Sequence, residues 1–375
     1  MTLARSNNHE GDMMKATLIA LSIPTLLAAG TASAANLYDK DGTKLDLYGR
    51  ATGMYYGSDN DELRGDESYI RMGLKGETAL GNNLTGLGQF EYNLPTSGSD
   101  NDELRLGFAG IRHDQFGTLT YGRQDGLMAM VNDYTDVLPE WGGDGLGKGT
   151  EVFGTGRSNG LLKYAFTYDG LTLGAQFTGK NDPQNNNDGT LTTASDKWMQ
   201  GSDEGYATGL SYDMPMGLSF ATVYNRAGKT DEQKQTAQFG GQDDAQLTGV
   251  GLRYNANNLY AAATYSEGRD HYFLGDSTAG GYAHKSRGYE AVVQYTVADK
   301  FVPGLAYVRS EVKDDSQNID DKANEYVSVN AAYHFNNNFQ SYVDYRINRL
   351  DNNSFTQNYG INTDDIVAVG MRYDF

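Results

Sequence analysis

Cysteine is absent from all 375 residues, which excludes disulfides and thiolate metal centres. Proline (6) and tryptophan (2) are scarce, and hydrophobic residues reach only 38%. A soluble domain of this length usually carries about 45–50% apolar residues with glycine included. Positive charge is in deficit too: 30 Lys and Arg face 49 Asp and Glu, a net charge of −19. Without a basic patch to offset that acidity, nucleic acid is not a partner. No long stretch has the 3.6-residue period of an amphipathic helix. Glycine (47) and tyrosine (27) are abundant instead. Aromatic residues at 11% are too many for a disordered chain of low hydrophobicity.

The only sustained apolar run, Ala16–Ala29, follows Met13-Met14-Lys15 and contains Pro24. It falls short of the about 20 residues a transmembrane helix needs. Thr31-Ala32-Ser33-Ala34 follows it. A basic start, a short apolar stretch and small residues at a cut read as a secretory signal peptide. Residues 1–34 are therefore expected to be an N-terminal extension and cleaved leader, with translation starting better at Met13 or Met14 than at Met1. The mature chain would be a single domain, 35–375, of 375 − 34 = 341 residues. Arg5, Lys15, Glu10 and Asp12 leave together, so the net charge stays at −19. An exported chain without cysteine fits a Gram-negative envelope.

The mature chain alternates with period two, the mark of strands with one apolar face. Tyr69–Lys75 sets Ile70, Met72 and Leu74 on one face; Leu104–Phe108 and Leu218–Tyr224 repeat the pattern. Val367–Phe375 places Val367, Val369, Met371, Tyr373 and Phe375 at one parity. Short turns recur at 81–83, 114–117, 169–170, 213–217, 255–258, 298–300 and 336–338. Longer polar connections lie at 57–66, 94–103, 124–156, 181–203, 229–243, 269–284, 313–324 and 350–363. Seven turns alternating with eight loops connect 16 strands. Short turns at one end and long loops at the other are the pattern of an all-β, 16-stranded antiparallel transmembrane barrel. A β-sandwich would mix its loop lengths.

Strand charges lie opposite the apolar parity: Arg50, Arg71, Lys75, Glu77, Arg105, Lys163, Glu290 and Arg372. An apolar outside and a polar lumen are what a membrane barrel requires. Tyrosines near strand ends (Tyr55, Tyr56, Tyr92, Tyr121, Tyr168, Tyr254, Tyr265, Tyr295, Tyr333, Tyr373) are placed as interfacial girdles.

Several segments resemble the general porins of enterobacterial outer membranes. They are Ala35–Gly42, Leu45–Gly49, Gly73–Thr78, Phe108–Gly110, the specific block Tyr134–Asp144, Tyr342–Tyr345 and the end, Val367–Gly370 with terminal Phe375. The resemblance implies a homotrimer in the outer membrane, each barrel an aqueous channel for passive diffusion of ions and small hydrophilic solutes. It also implies that the 124–156 loop, long enough to need a functional reason, folds into the lumen. Asp136 and Glu140 match the acidic side of the resulting constriction; Arg50, Arg71, Arg105 and Arg157 match the basic side. All four arginines fall on the lumen parity of their strands. Opposed charged walls set up a transverse field across a narrow gap. Asp125 and Lys148 are expected to modulate the loop, whose Asp125, Asp133, Asp136, Glu140, Asp144 and Glu151 face Lys148 alone. With −19 overall, mild cation selectivity is expected.

Loop 94–103 corresponds to the family's latch onto a neighbouring subunit and is short here. The trimer contact is expected on the outer face of the first strand, at Leu47, Gly49, Ala51 and Gly53, where small residues permit close approach. Phe375 resembles the terminal signal read by the outer-membrane assembly machinery. Lipopolysaccharide is a further expected partner, through ion bridging near Asp59–Glu62.

No HExxH, GxSxG or P-loop occurs, so no enzyme is expected. The histidines (His9, His113, His271, His284, His334) have no metal-ligand spacing, although His271 and His284 share a loop; no metal or cofactor is expected. Two alternatives stay open: a substrate-selective porin for anions, phosphate or sugars, and an adhesin or phage receptor using the external loops. Sugar channels line a path with successive aromatics, whereas the long loop holds only Tyr134, Trp141 and Phe153.

Overall fold

The structure is a computed structural model that describes residues 34–98, 103–145, 152–181, 197–276 and 278–375. The leader, Lys148, Glu151 and parts of the loops at 94–103 and 181–203 lie outside the described residues. Sixteen antiparallel strands form the barrel. They are β1 (Thr43–Gly57), β2 (Tyr69–Gly81), β3 (Leu84–Pro95), β4 (Glu103–His113), β5 (Gly117–Asp125), β6 (Arg157–Tyr168), β7 (Leu171–Thr178) and β8 (Gly205–Asp213). The second half holds β9 (Leu218–Ala227), β10 (Ala245–Ala256), β11 (Leu259–Arg269), β12 (Lys285–Tyr295), β13 (Phe301–Asp314), β14 (Ile319–His334), β15 (Phe339–Asn348) and β16 (Ile366–Asp374). Each strand pairs with its neighbours in sequence, and β16 returns to β1 from Arg50↔Asp374 to Gly57↔Val367. Closure leaves no open edge, which a lipid-facing sheet cannot tolerate.

The short turns follow from residues that accept left-handed backbone. Asn82 and Asn83 (φ 52° and 61°) and Asn257 and Asn258 (φ 55° and 62°) supply the two positive-φ positions of type I′ hairpins. At the chain's end, Phe375 and Gly49 exchange backbone hydrogen bonds of 2.8 and 3.0 Å. The Phe375 ring lies over Gly49, where an added Cβ would sit 2.7 Å from Cζ.

The outer surface carries the expected apolar band, with Ile70, Met72, Leu74, Phe90, Val369 and Met371 exposed. Tyr55, Tyr121, Tyr168, Tyr295, Tyr333 and Tyr373 stand outward with them. Four expectations need correction. Tyr56 turns inward, its hydroxyl donating to Glu140, so it is not a girdle residue. The 313–324 connection is a four-residue turn, because β13 and β14 run on past the band to Asp314 and Ile319. There the Asp314 carboxylate accepts from the Ser316 and Gln317 amides, and Asn318 takes φ 54°, a side-chain-stabilised turn. In β4 the register passes from Tyr92↔Leu104 to Glu91↔Leu106, skipping Arg105. This bulge shifts the phase, so Leu104 is exposed while Leu106 is buried. Finally, the lumen face is not polar throughout. Ala221, Val223, Leu247, Ala262, Val292 and Ala306 face inward and are buried with residues of the long loop.

Candidate functional site

That apolar patch is what seats the loop between β5 and β6. A short helix, α1 (Ala129–Asn132), and its flanks bring Leu127, Met128, Val131 and Tyr134 against it. Burying such side chains contributes about 1.5–3 kcal/mol apiece. Wall glycines make the room. A Cβ at Gly249 would lie 2.8 Å from Met128 Sδ, and one at Gly251 2.9 Å from Tyr134 Cδ2.

Polar contacts fix the rest of the loop to the wall. Gln176 accepts from the Leu127 amide and donates to the Gly154 carbonyl, both at 2.8 Å. The Tyr260 hydroxyl donates to the Tyr134 carbonyl at 2.7 Å. Glu290 accepts from the Gly143 and Gly145 amides at 2.7 and 3.1 Å, and the Tyr326 hydroxyl donates to Asp144 at 2.8 Å. Asp344 accepts from the Glu140 and Trp141 amides, each at 3.3 Å.

The two acids expected at the constriction occupy different surroundings. Glu140 is held by the hydroxyls of Tyr56 and, at 3.3 Å, Tyr342; the Trp141 ring packs 5.1 Å from that of Tyr56. Asp136 is exposed to the lumen, and among the described residues no cation lies within ion-pair distance of it. Loss of hydration within the barrel, then the neighbouring Asp144, pushes its carboxyl up to about 6. Arg157, Arg105 and Arg71 pull it down, and access to lumen water moderates the effect of burial. Asp125 lies at the base of the loop, away from this gap: its carbonyl accepts from Lys163 at 2.7 Å. Its charge joins that of Asp136 in raising Asp133, which burial already holds well above the usual carboxylate range.

The structure brings the four expected arginines into one basic wall and adds Arg123 and Arg372. Arg50 stands directly opposite Arg71 in the ladder. Such like charges destabilise one another unless neutralised, and three carboxylates do so. Glu91 accepts from Arg105 Nε at 2.7 Å and lies 3.9 Å from Arg71 Nε. Asp374 lies 3.3 Å from Arg50 Nε and 2.9 Å from Arg372 Nε. Glu103 lies 3.3 Å from Arg123 and 3.8 Å from Arg157. Arg105 and Arg123 are both skipped by the register beside them; such bulges re-aim a side chain. Sequence reasoning missed Arg123 and these backing acids. Their lumen parity was a usable signal only for Glu91 and Asp374, since bulges break the period beside Glu103 and Arg123.

The model of the Gram-negative porin family matches residues 40–375. The chain belongs to that family. Outer membrane protein S2 of Salmonella typhi is 40% identical over 96% of this chain and 100% of its own length. Outer membrane porin N of Escherichia coli K12 is 39% identical over the same shares. Among solved structures, Salmonella typhi OmpF in complex with daunomycin superposes with a TM-score of 0.81 at 32% identity, covering 91% of this chain and all of that one. An anion-selective porin from Comamonas acidovorans shares the fold, with a TM-score of 0.63 at 16% identity over 89% of this chain and all of that one. The porin is thus an outer-membrane β-barrel of the OmpF and OmpC type, a channel and not an enzyme.

Proposed function

We propose that this porin passes ions and small hydrophilic solutes by passive diffusion with a mild preference for cations. Its constriction lies between Asp136 and Glu140 on one side and Arg50, Arg71, Arg105 and Arg157 on the other. The observation that supports this most is the asymmetry of charge compensation. The arginines are backed by Glu91, Glu103 and Asp374, whereas Asp136 faces lumen water. A carboxylate open to the gap, in a chain of net charge −19, attracts cations more than a partly neutralised basic wall attracts anions. Polar solutes align in the transverse field, and apolar ones lose ordered water without compensation. The sign of selectivity does not follow from the barrel itself, since an anion-selective porin from Comamonas acidovorans shares the fold.

The same reading takes residues 1–34 as the removed leader and 35–375 as the mature barrel. Its partners are two further copies meeting on the Leu47–Gly53 face, outer-membrane lipid with lipopolysaccharide, and the assembly machinery that reads the strand ending at Phe375. Among the described residues nothing lies within 4 Å of a Cβ built on Gly53, which leaves that position open, while the Phe375 ring covers Gly49. Liposome swelling with sugars of increasing size, alongside reversal potentials in a salt gradient, tests the function. Small uncharged sugars should enter and cations should be preferred; exclusion of both, or chloride preference, would refute it.

A further inference from the structure

We propose that Asp243, Asp270 and His284 form a binding site for a divalent transition-metal ion, zinc by ligand type, at the outer mouth of the barrel. One donor atom from each lies within 4.8 Å of the other two. Asp270 Oδ2 and His284 Nδ1 are 3.5 Å apart. Donors that share a zinc ion at about 2.0–2.2 Å stand roughly 3.3 Å from one another, so this pair is already spaced for one. Asp243 is exposed, and its carboxylate oxygen must close from within 4.8 Å to about 3.3 Å of the other donors to complete the third position.

The backbones that carry the donors are tethered. The Asp270 amide donates to the His284 carbonyl at 3.3 Å, which sets the two residues side by side. The His284 amide donates to the Asp314 carboxylate at 3.3 Å, and Lys229 Nζ donates to the Asp243 carbonyl at 2.8 Å. One imidazole nitrogen with two carboxylate oxygens is a donor set for zinc and its neighbours. Calcium and magnesium favour oxygen alone. Three protein ligands leave the fourth tetrahedral position to water. The Lys229 ammonium, which donates to the Asp243 carbonyl and lies 4.8 Å from the Tyr282 ring, opposes the ion; of the two carboxylates Asp243 is exposed and Asp270 is buried.

The site joins two external loops, 228–244 and 270–284. Both border the return limb of the constriction loop: Phe153 packs 5.5 Å from Tyr282, and Thr155 Oγ1 lies 3.5 Å from His271 Nε2. A bound ion would therefore fasten the mouth beside the return limb of that loop. Sequence spacing offered no sign of it, because Asp243 comes from a different loop.

Calorimetric titration of the chelator-treated, detergent-solubilised barrel with zinc chloride tests the proposal. One equivalent per chain is expected. His284→Ala and Asp270→Asn should each weaken binding by at least about tenfold, and His113→Ala should leave it unchanged. The His284 side chain is 68% exposed, so its removal does not threaten folding. Zinc binding unaffected by His284→Ala, or calcium chloride binding as tightly as zinc, would overturn the assignment.

Discussion

Glu290 fastens the 143–145 part of the constriction loop to the wall, and removing it should set that part in motion while leaving the barrel intact. The residue is only 3% exposed, and its carboxyl group accepts from the Gly143 and Gly145 amides at 2.7 and 3.1 Å. A hydrogen bond contributes about 0.5–1.5 kcal/mol net. Glu290→Ala removes both bonds, a loss of about 1–3 kcal/mol from the tip. Glu290→Gln keeps one acceptor and turns an amide N–H toward the other donor, so about half of that loss is expected. Relief of repulsion with Asp144 and Asp136 offsets part of both values. The ladder on either side of Glu290, Thr264↔Glu290↔Val308, uses backbone groups alone. Thermal unfolding should therefore shift little. Single-channel recordings should show open-state noise rising in the order wild type, Glu290→Gln, Glu290→Ala, and amide exchange at 141–145 should accelerate. Currents as quiet as wild type in Glu290→Ala, with unchanged exchange at 141–145, would refute this role.

Three other perturbations have defined outcomes. Gly249→Val fills the groove that receives Met128 and Val131; over-packing of about 1–3 kcal/mol should lift α1 into the lumen and lower single-channel conductance. Gly49→Val meets the Phe375 ring and the Arg71 carbonyl, so the chain end should lose its seat and the melting temperature should fall. Because the Asp136 carboxyl is raised to about 6, it is charged above that pH and neutral below it. Acidification from about pH 7 to pH 5 should reduce cation preference more in the wild type than in Asp136→Asn.

Much of the architecture is local chemistry and was legible in the sequence. Period-two patterning located the strands, and Asn82-Asn83 and Asn257-Asn258 announced their turns through the backbone they favour. Arg50 and Arg71 share the inner wall that strand parity implied, while the grouping of Arg105 and Arg157 with them came from the resemblance. What escaped depends on contacts distant in sequence. Val223, Leu247 and Val292 look like lipid-facing residues until the loop that covers them is in place. Tyr56 looks like an interfacial anchor until Glu140, 84 positions away, accepts its hydroxyl. The bulges at Arg105 and Arg123 break the period on which parity depends. The polar stretch after Asp314 has a loop's composition, yet its side-chain capping continues the hairpin.

The charged constriction is tested most directly by the reversal potential of wild type and Asp136→Asn channels in planar bilayers across a potassium chloride gradient. An ion passing about 4 Å from a unit charge in water gains about 1 kcal/mol, roughly a fivefold change in cation occupancy. Wild type should therefore favour potassium, and Asp136→Asn should lose several-fold of that preference. Chloride preference in the wild type, or identical potentials for the two proteins, would contradict the assignment of Asp136 to the gap.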